Sequence, residues 1–379
     1  MAKVKLTDIC DIQYGYAFDS MCFTEDDGYL PLIRIRDVKR GYSETFYSGK
    51  YSDEYVVHAG DLLVGMDGEF NIARWKSIDA LLNQRVCKLI SKQGTNAEYL
   101  RFAMTKALKN VEDRTAFVTV KHLSAKELNK LELNIPLLEE QNFRANKLLK
   151  LEKIIALREN ELQKLNDLIK ARFVEMFGDT KFNNKEWNTL KLTELLERGS
   201  SVSYGIVQTG ETVEEGIPVF RPIDITGGHI PRRKELKNTS KEISDKYKRT
   251  LLKGYELLIT VRGSIGETFQ VTQEFMGCNV GRNIVPLRFD TEKVLYKYME
   301  HFFAQMGTKD ILAMMTKGIA LQGLNMSEFK EMVVIVPPIE MQREFIKFAN
   351  QIDKSKVAVQ KALAETQTLF DSLMQKYFG

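Results

Sequence analysis

Ten basic side chains in this sequence have the types and positions that suit contacts with a nucleic acid. They follow strand-like segments or lie near glycine-rich turns, and they are Arg34, Arg36, Lys39, Arg40, Arg74, Arg221, Arg232, Arg233, Lys234 and Arg262. Phosphate oxygens bind such cations, and a guanidinium also matches the guanine edge in the major groove. The alternative for each of them is an ordinary solvated surface charge. For the cluster at 232–234, phosphate contact is favoured over base reading.

Two of these arginines hold corresponding positions in similar segments. Arg34 follows Pro-Leu-Ile and precedes Asp37, and Arg221 follows Pro-Val-Phe and precedes Asp224. Arg36 lies two residues after Arg34, so on a strand both would share one face. The correspondence also has a structural interpretation, in which each arginine forms a scaffold salt bridge with its aspartate. Two domains that read different sequences need not share their reading residues.

The whole chain repeats itself. Pro136 and Pro337 begin similar runs that contain Gln141 and Gln342, and the offset is 337 − 136 = 201 residues. The Phe-Gly pair at 177–178 recurs at 378–379 with the same offset. Repetition on this scale predicts two similar units related by a pseudo-two-fold axis. Duplex DNA with two half-sites suits such symmetry.

Each copy begins with a globular region of mixed α/β character. Leu30 to Arg36, Leu62 to Met66 and Leu257 to Arg262 are predicted strands. Helices are predicted around Ala97 to Lys109 and Tyr296 to Met306. Shorter motifs also recur: Tyr14-Gly15 resembles Tyr204-Gly205, and Gln84-Arg85 resembles Gly281-Arg282. The offset wanders between copies, as expected for a shared scaffold with different surface loops.

A long helix is predicted after each proline marker. Glu139 to Phe177 contains no Gly or Pro, and its 39 residues would span roughly 59 Å. Apolar residues recur at steps of three and four from Leu148 to Met176, and the second copy carries a matching seam from Ile352 to Tyr377. These seams predict an antiparallel coiled coil with a globular region at each end. The alternative is that each helix packs on its own globular domain.

Composition excludes several classes of protein. The net charge of +4 is too small to indicate nucleic-acid binding by itself, so any basic surface must be local. No apolar stretch approaches the ~20 residues of a membrane span, and the first residues lack the apolar core of a signal peptide. The four cysteines are scattered, which favours reduced thiols and a cytoplasmic location.

Catalytic motifs are missing from the sequence. Its Pro-Pro pair, Pro337-Pro338, follows Val336 and precedes Ile339, unlike the Asn/Asp-Pro-Pro-aromatic motif of adenine methyltransferases. No glycine-rich loop suits a nucleotide, and the four histidines have no metal-site spacing. We therefore expect no enzyme activity, no metal and no cofactor in this chain. A stand-alone methyltransferase or nuclease and a coiled-coil scaffold without a nucleic-acid role are the rival hypotheses.

The order of these pieces resembles the specificity subunit of a type I restriction-modification system over essentially the whole chain. The motifs that carry the resemblance are Gly-Asp-Leu-Leu-Val at 60–64, Ile-Pro-Leu at 135–137 with Glu140-Gln141, and Met-Phe-Gly-Asp at 176–179. The second copy keeps Val-Pro-Pro-Ile at 336–339 and Gln342. It replaces Asp61 by Glu256 and Glu140 by Met341, so these acids are not expected to be catalytic.

The resemblance implies a division of labour. Residues 1–136 and 179–337 would be target recognition domains, one for each half of a bipartite DNA sequence. Residues 137–178 and 338–379 would be spacer helices that dock two methyltransferase subunits, to which restriction subunits are added for cleavage. S-adenosylmethionine would bind the methyltransferase subunits, which must flip an adenine out of the duplex to modify it.

Overall fold

The computed structural model describes residues 3–114, 122–227, 231–318 and 322–379, and it has an α+β architecture. The chain forms two compact units. The first unit is Met1–Asn160 with Gln360–Gly379, and the second unit is Glu161–Val359. Two 40-residue helices, Leu138–Phe177 and Ile339–Phe378, each contribute one segment to each unit. We call them the first and second long helices.

The globular part of the first unit is built around two sheets. An antiparallel sheet has the order Cys10–Tyr14, Val86–Ser91, Leu62–Gly65, Asn71–Arg74. A mixed sheet has the order Phe23–Thr24, Phe46–Tyr47, Leu30–Ile33, Ala80–Leu82, Val56–Val57. Lys3–Lys5 pairs with Glu132–Asn134, and the helices are Leu6–Ile9, Ile35–Arg40, Ala97–Arg114 and Ala125–Asn129. Helix Ala97–Arg114 buries Tyr99, Leu100, Phe102 and Met104.

The second unit repeats this plan with smaller sheets. Lys237–Thr239, Ile217–Phe220 and Asn279–Val280 form one sheet, and Thr268–Gln270, Leu257–Thr260 and Ile284–Leu287 form another. Strand pairs join Thr189–Lys191 to Val333–Ile335 and Thr316–Lys317 to Gly323–Leu324. The helices are Pro222–Ile225, Lys241–Asp245, Tyr296–Phe303, Met306–Met314 and Met326–Lys330. The predicted mixture of irregular strands and helices is confirmed.

The repeated Tyr-Gly motif marks a close approach of two backbones. A Cβ atom on Gly15 would lie 2.0 Å from the Asn83 carbonyl oxygen. A Cβ atom on Gly205 would lie 1.8 Å from the Val280 carbonyl oxygen. Only glycine fits at either position without moving the facing strand end. The motif is therefore part of the shared scaffold.

The recurring glutamine after each proline fastens the start of a long helix to its globular part. Gln141 is 1% exposed, accepts a hydrogen bond from the Asn96 N–H at 2.9 Å, and donates to the carbonyls of Gly94 and Pro136 at 3.1 and 2.9 Å. This side chain satisfies three backbone groups in two segments of the first unit. We call this arrangement the glutamine clamp.

Gln342 forms the same glutamine clamp in the second unit. It accepts from the Leu295 N–H at 2.9 Å and donates to the carbonyls of Lys293 and Pro337 at 3.1 and 2.9 Å. The side chain is fully buried. An amide supplies both a donor and an acceptor, which explains why both copies carry glutamine here.

The long helices bury the seam positions that the sequence indicates. From Leu148 to Met176 every seam residue is buried or half-buried, and so is every one from Ile352 to Tyr377. In the first unit Arg144 lies over the Tyr377 ring at 5.0 Å, and Arg158 donates to Thr366. The two helix segments of this unit therefore run in opposite directions. Coiled-coil geometry along the whole helices stays a prediction.

In the second unit the long-helix segments also contact each other. Phe173 packs edge-on against Phe345 with ring centroids 5.3 Å apart, and Arg172 lies 3.2 Å from Glu344. In the first unit the helices additionally contact the globular part, as Phe102 with Phe370 shows at 6.1 Å. The long-helix segments thus pack on each other and on globular elements, and the coiled coil and its alternative both stay predictions. No described helix combines the length and apolar character needed to span a bilayer.

A largely buried histidine gives the second unit an expected acid sensitivity. The His301 ring packs edge-on to Phe345 at 5.2 Å, and its Nε2 atom has no hydrogen-bond partner within the described residues. Burial, followed by the nearby charge of Lys297, lowers the pKa of His301 to about 4 from an ordinary value of 6.5. Because the folded pKa lies below the unfolded value, unfolding takes up a proton. Stability should therefore fall as the pH drops from about 6.5 towards 4.

The substitution His301→Phe should remove this sensitivity. Phe102 holds the corresponding place in the first unit, three residues after Tyr99, whose hydroxyl bonds a strand carbonyl as Tyr298 does. We expect the wild-type second unit to lose about 1–2 kcal/mol of unfolding free energy between pH 7 and 5 through this group. Urea unfolding at both pH values checks this, and an equal loss in the variant would contradict it.

Candidate nucleic-acid interface

A basic cleft lies in the globular part of the first unit. It has a volume of about 460 Å³, and the residues that line it are Phe18, Ser20, Phe23, Arg34, Ile35, Arg36, Asn83, Gln84 and Arg85. Three guanidinium groups and two amides thus meet beside aromatic rings, and none of these nine described residues is acidic. Such groups donate to phosphate oxygens and to base edges. We call this site the first cleft.

Arg34 and Arg36 reach the first cleft from a strand-to-helix junction. The strand ends at Ile33, and a short helix begins at Ile35, so the two arginines do not share a strand face as the sequence analysis expected. The reason is Asp37, which is 1% exposed and accepts the Arg34 N–H at 2.9 Å. A carboxylate at this position satisfies a free amide at a helix start and ends the strand.

Arg85 is a cleft residue that the sequence analysis did not select. Its Nη1 atom lies 2.9 Å from Asp67 Oδ2 and 3.1 Å from His122 Nδ1, and His122 also contacts Asp67. The Arg85 backbone has a φ of 71°, which is unfavourable for a residue with a side chain. Its side chain is still 52% exposed. The sequence signal that could have drawn attention to it was the resemblance of Gln84-Arg85 to Gly281-Arg282.

Lys39 and Arg40 lie on the same short helix, outside the lining of the first cleft. Lys39 Nζ is 3.6 Å from a Glu69 oxygen, and Arg40 Nη1 is 3.9 Å from Glu44. All four side chains are exposed, and ion pairs of this kind contribute little stability. Both cations are therefore free to exchange these partners for phosphates. Contact with DNA stays a prediction for them.

Arg74 lies within an internal ion-pair network. It donates to Glu98 and to the Gly60 carbonyl, Glu98 also binds Arg101 at 2.7 Å, and Arg101 binds Glu152 of the first long helix at 2.6 Å. Burial opposes ionisation of Glu98, but hydrogen bonds from Arg101 and Arg74 outweigh it and lower its pKa. The network joins a strand, a helix and the long helix. This position gives Arg74 a structural role, and a DNA contact there is untested.

In the second unit Arg221 is held by a carboxylate. Its guanidinium binds Asp224 at 2.7 and 3.1 Å, while its backbone N–H donates to the same carboxylate at 2.7 Å. The scaffold salt bridge considered for both copies is thus present here. The first copy differs, because Asp37 is paired with Arg36 at 3.6 Å and Arg34 lines the first cleft.

The basic run at 232–234 lines a second cavity of about 720 Å³. Arg233 donates to the carbonyls of Glu274 and Met276 at 2.7 and 2.9 Å, which fixes its guanidinium against the protein. Arg232 is 4.0 Å from Glu235, and Lys234 is exposed. Glu214, Glu215 and Glu274 share the lining, so this cavity has mixed charge. Arg232 and Lys234 are exposed, so they are better placed for phosphate contact than Arg233.

Arg262 follows strand Leu257–Thr260 and lies against Gly323. The two residues form an isolated antiparallel bridge, and a Cβ atom on Gly323 would lie 3.0 Å from the Arg262 side chain. The arginine is exposed, and no ion pair involves it within the described residues. In the first unit Asp67 forms the corresponding bridge with His122. A cation in one copy thus replaces an anion in the other.

Backbone hydrogen bonds correct the register of one repeated motif. The Gln84 N–H donates to the Tyr16 carbonyl at 2.7 Å, and the Arg282 N–H donates to the Ile206 carbonyl at 2.8 Å. Gln84 therefore corresponds to Arg282. The sequence alignment of Gln84-Arg85 with Gly281-Arg282 was wrong by one residue. Both pairs end in arginine, and the sequence alone does not show where the loops of the two copies differ in length.

The next position confirms this register. The Met66 N–H donates to the Arg85 carbonyl at 2.9 Å, and the Val261 N–H donates to the Asn283 carbonyl at 2.8 Å. Arg85 therefore corresponds to Asn283.

Within the described residues no group of three or more His, Cys, Asp or Glu side chains suits a metal ion.

Comparison with known proteins gives a consistent picture. A family profile described as type I restriction modification DNA specificity domain matches residues 1–167 and again 184–366. The chain is 29% identical to the type I restriction enzyme EcoBI specificity subunit of Escherichia coli, with 99% of this chain and 85% of that protein covered. The two matched segments coincide with the two copies of the repeat.

Solved structures share the fold. One is the S subunit of a type I restriction-modification system from M. genitalium, with a TM-score of 0.56, 15% identity, and coverage of 100% of this chain and 96% of that one. Another comes from work on complex assembly and conformational transition of the type I R-M system, with a TM-score of 0.55, 15% identity and coverage of 100% and 97%.

Proposed function

Because the chain belongs to the type I restriction-modification DNA specificity family, we propose that it reads a bipartite sequence of double-stranded DNA, one half-site with each globular part. The observation that carries this proposal is the double family match, which falls on both copies of the repeat. The basic first cleft in one copy and the exposed Arg262 and Arg282 in the other support it. The chain is a specificity protein, and catalysis resides in its partners.

The proposal assigns a role to each segment. Residues 1–136 and 179–337 are the target recognition domains, and residues 137–178 and 338–379 are the spacer helices. This chain holds no cofactor of its own. Two methyltransferase subunits carry S-adenosylmethionine, and restriction subunits join them for cleavage. The target is cellular DNA, so we place the complex in the cytoplasm.

The long helices offer a docking surface for the methyltransferase subunits. Several of their apolar side chains are exposed although the seam is covered, and they are Ile154, Leu157, Leu168, Val174, Val357 and Leu369. Covering exposed apolar side chains with a partner removes apolar surface from water, which stabilises the complex. This exposure supports the proposed docking role of the helices.

Reconstitution tests the proposal directly. The purified chain with DNA and S-adenosylmethionine should show neither methyl transfer nor cleavage above background, because catalytic motifs are missing from the sequence. Addition of the modification subunits should give methylation at one bipartite sequence. The measurement is sequencing of modified bases in a DNA library.

Two controls make the outcome decisive. Modification subunits without this chain should leave the library unmodified, and the chain without them should still retain DNA selectively. Robust methyl transfer by the chain alone would show a stand-alone enzyme. A chain that docks the modification subunits but retains no DNA would be a plain scaffold.

A further inference from the structure

We propose that each globular part selects a base pair of its half-site through one structurally equivalent position, Gln84 in the first unit and Arg282 in the second. This inference rests on the proposed function and names the side chains that carry it out. The surrounding segments are residues 83–85 and 281–283, which we call the reading turns.

The two reading turns share one backbone frame. Each is tied to the segment after a Tyr-Gly motif, through the bonds from Gln84 to Tyr16 at 2.7 Å and from Arg282 to Ile206 at 2.8 Å. Each turn also has an internal backbone hydrogen bond. The Val86 N–H donates to the Asn83 carbonyl at 3.2 Å, and the Ile284 N–H donates to the Gly281 carbonyl at 3.1 Å. These hydrogen bonds place residue 84 and residue 282 at the same position of the turn, although Arg85 has a left-handed φ of 71° and its counterpart Asn283 does not.

At this equivalent position the first unit has a glutamine and the second unit has an arginine, and the two side chains match different bases. Glutamine matches the adenine edge in the major groove with one donor and one acceptor, whereas arginine matches the two acceptors of guanine. The order of the groups is also reversed, because Gln84 precedes Arg85 while Arg282 precedes Asn283. A constant frame with exchanged readers is what two domains need in order to read different half-sites.

Exposure and surroundings support the same position. Gln84, Arg85 and Arg282 are exposed, whereas the strand residues beside the two turns are buried, and they are Leu82, Val86, Val280 and Ile284. Gln84 and Arg85 line the first cleft beside Arg34 and Arg36, and that lining contains no carboxylate. Asp67 lies beside the turn, but its charge is paired with Arg85 at 2.9 Å, so a phosphate backbone can still approach the cations of the lining.

Arg85 is held in place before any ligand arrives. Asp67 binds its guanidinium at 2.9 Å, and the left-handed backbone at φ 71° directs the residue out of the regular strand path. An unfavourable backbone conformation beside an exposed basic cleft indicates a functional constraint. In the second unit Arg262 takes the place of Asp67, so the second reading turn has an added cation beside it.

The test exchanges the readers in the complete complex with modification subunits. With Gln84→Arg, the preferred pair at one position of the first half-site should change from A·T to G·C, and the second half-site should stay unchanged. With Arg282→Gln, one position of the second half-site should change from G·C to A·T. Discrimination at the altered position should differ by roughly 5- to 150-fold. Methylated sites are selected from a randomised library and sequenced.

Matched controls separate base reading from loss of charge. Arg114→Gln and Arg198→Gln remove exposed guanidinium groups outside the reading turns and outside the candidate DNA contacts, and they should leave both half-site sequences unchanged. If the wild-type complex selects no bipartite sequence, the proposed function fails. If it does, and both reader variants keep the wild-type half-sites, the inference about the reading turns is overturned.

A second measurement decides the case in which Gln84→Arg abolishes binding. Gln84→Ala should relax selectivity at a single position. The Gln84→Cys thiolate should exchange with a base that carries a mixed disulfide with a small thiol, in the first half-site only, which forms a protein–DNA disulfide and releases the small thiol. Cross-linking only at the second half-site, or unrelaxed selectivity in the alanine variant, would overturn the inference.

Discussion

Replacement of residues 1–136 by the corresponding region of a relative with another specificity should change the first half-site and leave the second half-site intact. The physical reason is that the two globular parts have separate hydrophobic cores. Leu62, Val64 and Tyr99 belong to one core in the first unit, whereas Leu257, Ile259 and Tyr298 belong to another in the second unit. A change in one core does not rearrange the other.

The expected effect is large. Each mismatched base pair weakens specific binding by about 1–3 kcal/mol, so three mismatches reduce affinity for the original first half-site by about 10²- to 10⁶-fold. Binding assays with hybrid sites, in which only one half-site is exchanged, measure this change. The reciprocal exchange of residues 179–337 should alter only the second half-site. A simultaneous change of both half-sites would show that the two target recognition domains do not act independently.

The incoming domain must satisfy contacts that the helices already make. Tyr99 packs on Phe378 at 5.1 Å, Phe102 packs on Phe370 at 6.1 Å, and Gln141 needs the backbone of Gly94 and Asn96. A donor that keeps these groups should preserve stability. An incoming domain that lacks these groups would disturb packing as well as specificity. A lower thermal unfolding temperature of the chimera would reveal the loss of packing.

The glutamine clamps should be highly sensitive positions in each unit. Gln141→Leu leaves the Asn96 N–H and the carbonyls of Gly94 and Pro136 without their partner. Buried groups that lose a hydrogen bond destabilise a protein by about 1–3 kcal/mol each. Because three groups lose their partner, we expect a loss of about 3–9 kcal/mol in the unfolding free energy of the first unit, and Gln342→Leu should cause a similar loss in the second.

The chain offers matched controls for both clamps. Gln163 and Gln367 are exposed glutamines on the long helices, each of which donates to an aspartate one turn later at 3.0 Å. Their replacement by leucine should change stability by less than about 0.5 kcal/mol. Urea unfolding measures the difference, and hydrogen exchange at the Asn96 amide locates it. A Gln141→Leu variant as stable as Gln163→Leu would contradict the role of the clamp.

The sequence by itself determined the architecture and the class of this protein. Periodicity over 39 residues predicts a long helix because each turn repeats the same local geometry. Both long helices are confirmed, and each has 40 residues, one more than predicted. The duplicated order of motifs predicted the family that the profile match shows. The seam was also readable, since its residues from Leu148 to Met176 are buried or half-buried.

Only the tertiary structure decided which basic residues meet. Arg34 and Arg85 are 51 residues apart in sequence, yet both line the first cleft because strands Leu30–Ile33 and Ala80–Leu82 are parallel neighbours. Arg74 has the same local sequence signal as a DNA contact, but Glu98 from a distant helix binds it. Pairing between strands and side chains far apart in sequence leaves no local pattern. The register of the reading turns likewise follows from backbone hydrogen bonds that one sequence does not reveal.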